Sequence, residues 1–174
     1  NLFIERDDFK EDANRKYFRL TLGKEVRLKN GYIIEGQSVI KDADGTIIEI
    51  HCKYDPDSKS GSGSEASQRK VKGTIHWVNQ ETAIAAQVNL YDRLFSDESP
   101  DQHKDQEFTE FINQDSLKQI TAQVEPSLVN LTPGTNVQFQ RLGYFVTDTD
   151  STAEHLVFNK TVGLRDTWAK KANN

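Results

Sequence analysis

Between positions 15 and 29 the chain carries six basic side chains, Arg15, Lys16, Arg19, Lys24, Arg27 and Lys29, against one acid, Glu25. The arginines are the informative members. A planar guanidinium presents a fork of donors that grips a phosphate or a base edge bidentately, which a lysine point charge does less selectively. Arginine on guanine O6 and N7 is the commonest specific contact to a base, worth about 1–3 kcal/mol of discrimination. Bases must be unstacked to be read this way, and single-stranded RNA loops supply them at low cost. The opposite polarity lies at 97–110, where Asp97, Glu98, Asp101, Asp105, Glu107 and Glu110 stand against Lys104. A segregated basic face can hold phosphates while an acidic remainder limits indiscriminate binding, since screening confines each patch to roughly 8–10 Å. Charge alone fits two ordinary solvated surfaces equally well.

Other chemistry is sparse. No phosphate-cradling glycine loop is present. Catalytic and metal-binding residues are therefore not expected. His51, His76, His103 and His155 are scattered, without a second His or Cys at ligand spacing. The single cysteine, Cys52, excludes an internal disulfide, favours a reducing compartment and reads as a small buried side chain. Asp42, Asp44, Asp55 and Asp57 lack the spaced pattern of a calcium loop and read as turn residues.

Several elements are expected to position the basic run. Residues 32–41 and 46–53 read as two strands around Asp42-Ala43-Asp44-Gly45, whose Asp-Gly step suits a tight hairpin. Ile48 and Ile50 alternate with Glu49 and His51, placing one face inward. Residues 58–67, SKSGSGSEAS, have nothing to bury and read as a mobile loop. A strand then runs from Arg69 through Val71, Ile75, Trp77 and Val78, and another spans 84–95 with Ile84, Val88 and Leu90 inward. Phe108, Phe111 and Ile112 fall at helical spacing in 101–113, with acids crowding the early turns, which predicts a helix. Residues 117–124, 137–145 and 156–162 alternate again, with turns at Pro133-Gly134 and Leu142-Gly143. The tail from Arg165 reads as a closing turn of helix. Phe18, Trp77, Tyr91, Tyr144, Phe145 and Trp168 are aromatics of a kind usually found in cores, although each also offers a face for a base.

The chain has 174 residues and a net charge of -5, which argues against a generically basic nucleic-acid binder. No apolar run approaches the roughly 20 residues that span a bilayer, and the start lacks a signal-peptide pattern. Methionine is absent, position 1 included, which suggests a segment of a longer polypeptide.

Six ordered blocks carry a family resemblance: RLTLGKEVRLKN (19–30), VKGTIHWV (71–78), LYDRLFS (90–96), EPSL (125–128), QFQRLGYF (138–145) and FNKTVGLRDTWAK (158–170). Together they closely resemble the C-terminal, anticodon-binding half of bacterial glutaminyl-tRNA synthetases, from about Phe3 to Lys170. The resemblance implies an all-β chain: two tandem six-stranded antiparallel β-barrels with one or two short helices, the first over 1–73 and the second over 74–174. It implies that Arg19 reads the third anticodon base, a guanine, that Arg27 meets the first, and that Gln138 meets the central uridine. Arg141 and Arg165 match basic residues near the loop and its backbone, and Arg165 beside Asp166 suits an internal ion pair equally. Three positions depart from the pattern: Lys16 stands where a glutamine is common, Phe18 where a basic residue is usual, and Lys29 where arginine is usual. The intact family member joins glutamine to its tRNA using ATP and magnesium in the cytoplasm, as a monomer; this chain would select the tRNA and be inactive alone. Two alternatives stand beside it: the equivalent region of a non-bacterial glutamyl-tRNA synthetase, and a β-barrel module that binds a protein through 97–110.

Overall fold

The computed structural model describes residues 1–164 of the 174. The chain forms two compact units, the first Asn1–Glu81 and the second from Thr82 onward. The expected closing helix at the tail, Arg165 and Trp168 lie outside the described residues.

The first unit holds β1 (Leu2–Ile4), β2 (Glu25–Leu28), β3 (Ile33–Lys41), β4 (Ile47–Asp55), β5 (Thr74–Ile75) and β6 (Trp77–Asn79). Four of them form a sheet in the order β4-β3-β2-β5, and β1 pairs with β6. Alternation in β2 turns Val26 and Leu28 inward, where they meet Leu20, Ile34 and Ile75. Asp42 Oδ1 accepts from the Asp44 and Thr46 N–H groups, and Gly45 takes φ +79°, so the expected β3–β4 hairpin forms. Gly36 lets the 20–22 segment cross closely over β3, because a Cβ there would lie 2.8 Å from the Thr21 carbonyl oxygen.

The second unit holds β7 (Ile84–Tyr91), β8 (Leu117–Val124), β9 (Asn136–Phe139), β10 (Gly143–Thr147) and β11 (Leu156–Val162) in the order β8-β7-β11-β10-β9. Ala86, Val88, Val124, Phe145, Leu156 and Phe158 form its core, with Ile84 and Leu90 packed against it.

The chain is mostly β, but the sheets are mixed rather than purely antiparallel: β2 runs parallel to β5, and β11 parallel to β7. Among the described residues the strands form sheets of two, four and five members. Several local expectations need correction. The strand expected from Arg69 to Val78 reduces to β5 and β6, and the one expected to reach Phe95 ends at Tyr91. Residues 101–113 hold no α-helix, only a 3-10 turn over Phe108–Phe111. A lone 13-residue helix is marginal without a core to pack on, and here the aromatics pair with loop neighbours instead. Phe108 meets Phe95, and Phe111 stacks on His103 at 4.4 Å. Ile48 is exposed, since irregularities at Gly36/Ser38 and Ile40/Lys41 break the period-two register between β3 and β4. Cys52 is also exposed, although partial burial of its thiol by neighbouring atoms pushes its pKa up.

Residues 58–67 are ordered, not an unanchored loop. A 3-10 turn at Pro56–Ser58 and a single α-helical turn, α1 (Glu65–Gln68), bracket them. Ser58 is fully buried; its Oγ accepts from the Ile33 N–H at 2.8 Å and donates to the Asp55 carbonyl at 2.6 Å. Ser64 caps α1 by accepting from the Ser67 N–H.

Candidate nucleic-acid interface

Arg19 lies on an irregular stretch pinned on both sides. Before it, the Tyr17 hydroxyl donates to the Asp7 carbonyl at 2.9 Å; after it, the buried Leu20 donates its N–H to the Asp8 carbonyl at 2.9 Å. Partial burial, then the Asp8 carboxylate, pushes the Tyr17 phenol above its usual pKa, so it stays a donor. The Arg19 guanidinium is aimed by two contacts, Nε to Asp8 Oδ1 at 3.0 Å and Nη1 to the Phe18 carbonyl at 3.0 Å. The Asp8 side chain is only 4% exposed against 36% for Arg19, so a buried carboxylate holds the stem of a half-exposed fork. One edge of the fork is thus fixed by the protein, which presets the orientation of the guanidinium.

Arg27, on β2, has a different environment. Its Nη1 donates to the Ser58 carbonyl at 2.7 Å and to Ser60 Oγ at 3.3 Å. Its Nη2 donates to the carbonyls of Ser67 and Arg69 at 3.0 and 3.1 Å. The guanidinium therefore gathers both ends of the 58–69 segment. Arg69 extends the clasp, reaching Glu25 Oε2 at 2.5 Å and Asp55 Oδ2 at 2.8 Å across β2 and β4. Lys16 and Lys29 are exposed. The backbone of each is anchored, Lys16 N–H on Asn14 Oδ1 and the Lys29 carbonyl on Trp77 Nε1, leaving the ammonium groups to solvent.

In the second unit Gln138, on β9, is exposed and directly opposite Tyr144 on β10. Both side chains stand on the sheet face away from the Phe139 and Phe145 core, which puts an amide beside an exposed phenol ring. Arg141 sits in the turn between these strands at φ +69°, a left-handed conformation costing a non-glycine residue about 1–2 kcal/mol. Of the aromatics expected in cores, Phe145 is buried and Trp77 half-buried, whereas Tyr91, Tyr144 and Phe18 are exposed. Sequence reasoning missed Asp8, Lys72 and the Gln138–Tyr144 pairing. Only Asp8 left a trace, as an acid pair just ahead of the basic run.

A held, half-exposed guanidinium in the first unit and, separately, an exposed amide beside a phenol ring in the second are side-chain types that can read unstacked bases. Two stretches, 1–55 and 74–148, match the family described as tRNA synthetases class I (E and Q), anti-codon binding domain, and the chain belongs to that family. It is 52% identical over 170 residues to a glutamine–tRNA ligase of Rhodopirellula baltica, covering 97% of this chain and 28% of that protein. Similar matches are the glutamine–tRNA ligases of Vibrio parahaemolyticus, 51% identical over 173 residues (99% of this chain, 30% of that protein), and Serratia proteamaculans, 52% over 171 (98% and 30%). The chain thus spans less than a third of the length of these relatives.

Proposed function

We propose that the chain is the part of a glutamine–tRNA ligase that selects the tRNA by its anticodon, with Arg19 on a guanine at the third position. The observation that carries this is the Asp8–Phe18 grip on Arg19, which fixes a guanidinium in one orientation and leaves an edge for a base. Gln138, beside Tyr144, would meet the central base, whose donor and acceptor edges an amide satisfies together. Lys16, Lys29 and Arg141 would hold the loop's backbone, and Arg165 belongs with them by resemblance alone. Arg27 acts one step back: with its fork occupied by four acceptors, it shapes the 58–69 segment rather than reading the first base.

The remainder of such a ligase would supply ATP and magnesium chemistry in the cytoplasm; no residue here is assigned to it. The modular division at about Gly73, and closure of each unit as a six-stranded barrel, belong to the same proposal. The two family matches on either side of 55–74 support the first, although the compact units divide at Glu81/Thr82 and so keep β5 and β6 with the first unit. The family description covers both E and Q enzymes, and the glutamine–tRNA ligase relatives favour the Q reading. Anisotropy titration with anticodon stem-loops tests it. The matched loop is expected to bind more tightly than anticodon-swapped loops, with affinity falling steeply as salt rises; equal affinity for all loops would refute the assignment.

A further inference from the structure

Phe18 is 45% exposed although the first unit's core begins two residues away at Leu20. Its position is not slack. Tyr17 and Leu20 are anchored on Asp7 and Asp8, and the Phe18 carbonyl takes the Arg19 Nη1 hydrogen bond. From beneath, Gly73 presses against it so closely that a Cβ at 73 would lie 2.6 Å from the Phe18 oxygen. The fold holds an apolar ring out in water, which burial energetics alone disfavours. Lys72 places its ammonium 5.8 Å from the ring centroid. An exposed planar ring with a cation over one face, and a preset guanidinium on the next residue, together match one nucleotide: base on the ring's other face, phosphate on the ammonium.

We propose that Phe18 and Lys72 form a seat for a single unpaired nucleotide of an RNA loop, its base stacked on the Phe18 ring and its phosphate paired with Lys72, next to the base that Arg19 reads. This rests on the anticodon-reading assignment above. Gly73 is a positioning residue, since a side chain there would push against the Phe18 carbonyl and shift its backbone.

The test uses the whole 174-residue chain and anticodon stem-loops carrying a fluorescent aminopurine at one loop position at a time. One position should change emission on binding, and Phe18→Leu, apolar but not aromatic, should abolish that change and weaken binding roughly 5- to 150-fold. Lys72→Ala should flatten the slope of log affinity against log salt by about 0.7. Phe18→Trp, checked for an unaltered melting midpoint, should keep the affinity and lose indole emission when RNA binds. The proposal is overturned if Phe18→Leu binds like the original with the same emission pattern, or if the Trp variant's emission ignores RNA. An unaltered chain that binds no stem-loop overturns the anticodon assignment itself and this seat with it.

Discussion

Replacing Arg27 by alanine separates a residue that shapes the surface from one that reads RNA. The guanidinium makes four hydrogen bonds, to Ser58 O, Ser60 Oγ, Ser67 O and Arg69 O, at 2.7, 3.3, 3.0 and 3.1 Å. A hydrogen bond to a charged group contributes about 1.5–3 kcal/mol when buried and much less where water can replace it. The Arg69 contact is exposed and the Ser60 contact long, so two part-buried carbonyl contacts dominate and the expected loss is about 2–4 kcal/mol. For a unit of this size that lowers the melting midpoint by roughly 10–25 °C. Limited proteolysis should then cut within 58–67, a segment expected to resist cleavage in the unaltered chain, where these bonds hold it. Arg27→Lys, one donor centre without the fork, should recover only part of the loss. The expectation is refuted if Arg27→Ala melts and resists protease like the original yet loses RNA binding; Arg27 would then contact RNA directly.

Three further outcomes follow from the packing. Ser58→Ala strips a fully buried hydroxyl from the Ile33 N–H and the Asp55 carbonyl, and should cost about 1–3 kcal/mol in urea unfolding. Gly73→Ala drives a methyl into the Phe18 carbonyl and the Val26 side chain, so calorimetry should show a loss of about 1–3 kcal/mol, together with weaker RNA binding. Asp148 has its pKa lowered first by the Asp150 N–H and next by Asn159, whose amide it accepts from. A carboxyl whose folded pKa is depressed contributes stability above its unfolded value, about 4, and loses it as pH falls through the folded value. Acid titration of the melting midpoint should therefore flatten below pH 4 in Asp148→Asn.

The β3–β4 hairpin was legible because its determinants are local: Asp42 and Gly45 set the turn within five residues. Strands β8 and β11 fall at the bounds expected from the sequence, although burial alternates in neither. The 58–67 segment was not legible, because its composition is that of a linker while its anchor, Arg27, lies 31 or more residues away in sequence. The 101–113 helix misled through spacing: Phe108, Phe111 and Ile112 fit a helical face, but Phe108 and Phe111 pair with Phe95 and His103 in the loop rather than with the unit's core. At the candidate site, residue types were readable and orientation was not. Arg19 and Arg27 look alike in sequence; only the positions of Asp8 and of four loop acceptors tell a held, half-exposed fork from an internal clasp.

The most direct measurement is a double-mutant cycle between Arg19→Ala and replacement of the guanine at the third anticodon position of a stem-loop, read by anisotropy at fixed salt. A preset guanidinium on that base predicts that either change alone weakens binding by about 1–3 kcal/mol and that the second adds little to the first. Strict additivity, or equal titration curves for Arg19→Ala and the unaltered chain, would contradict it.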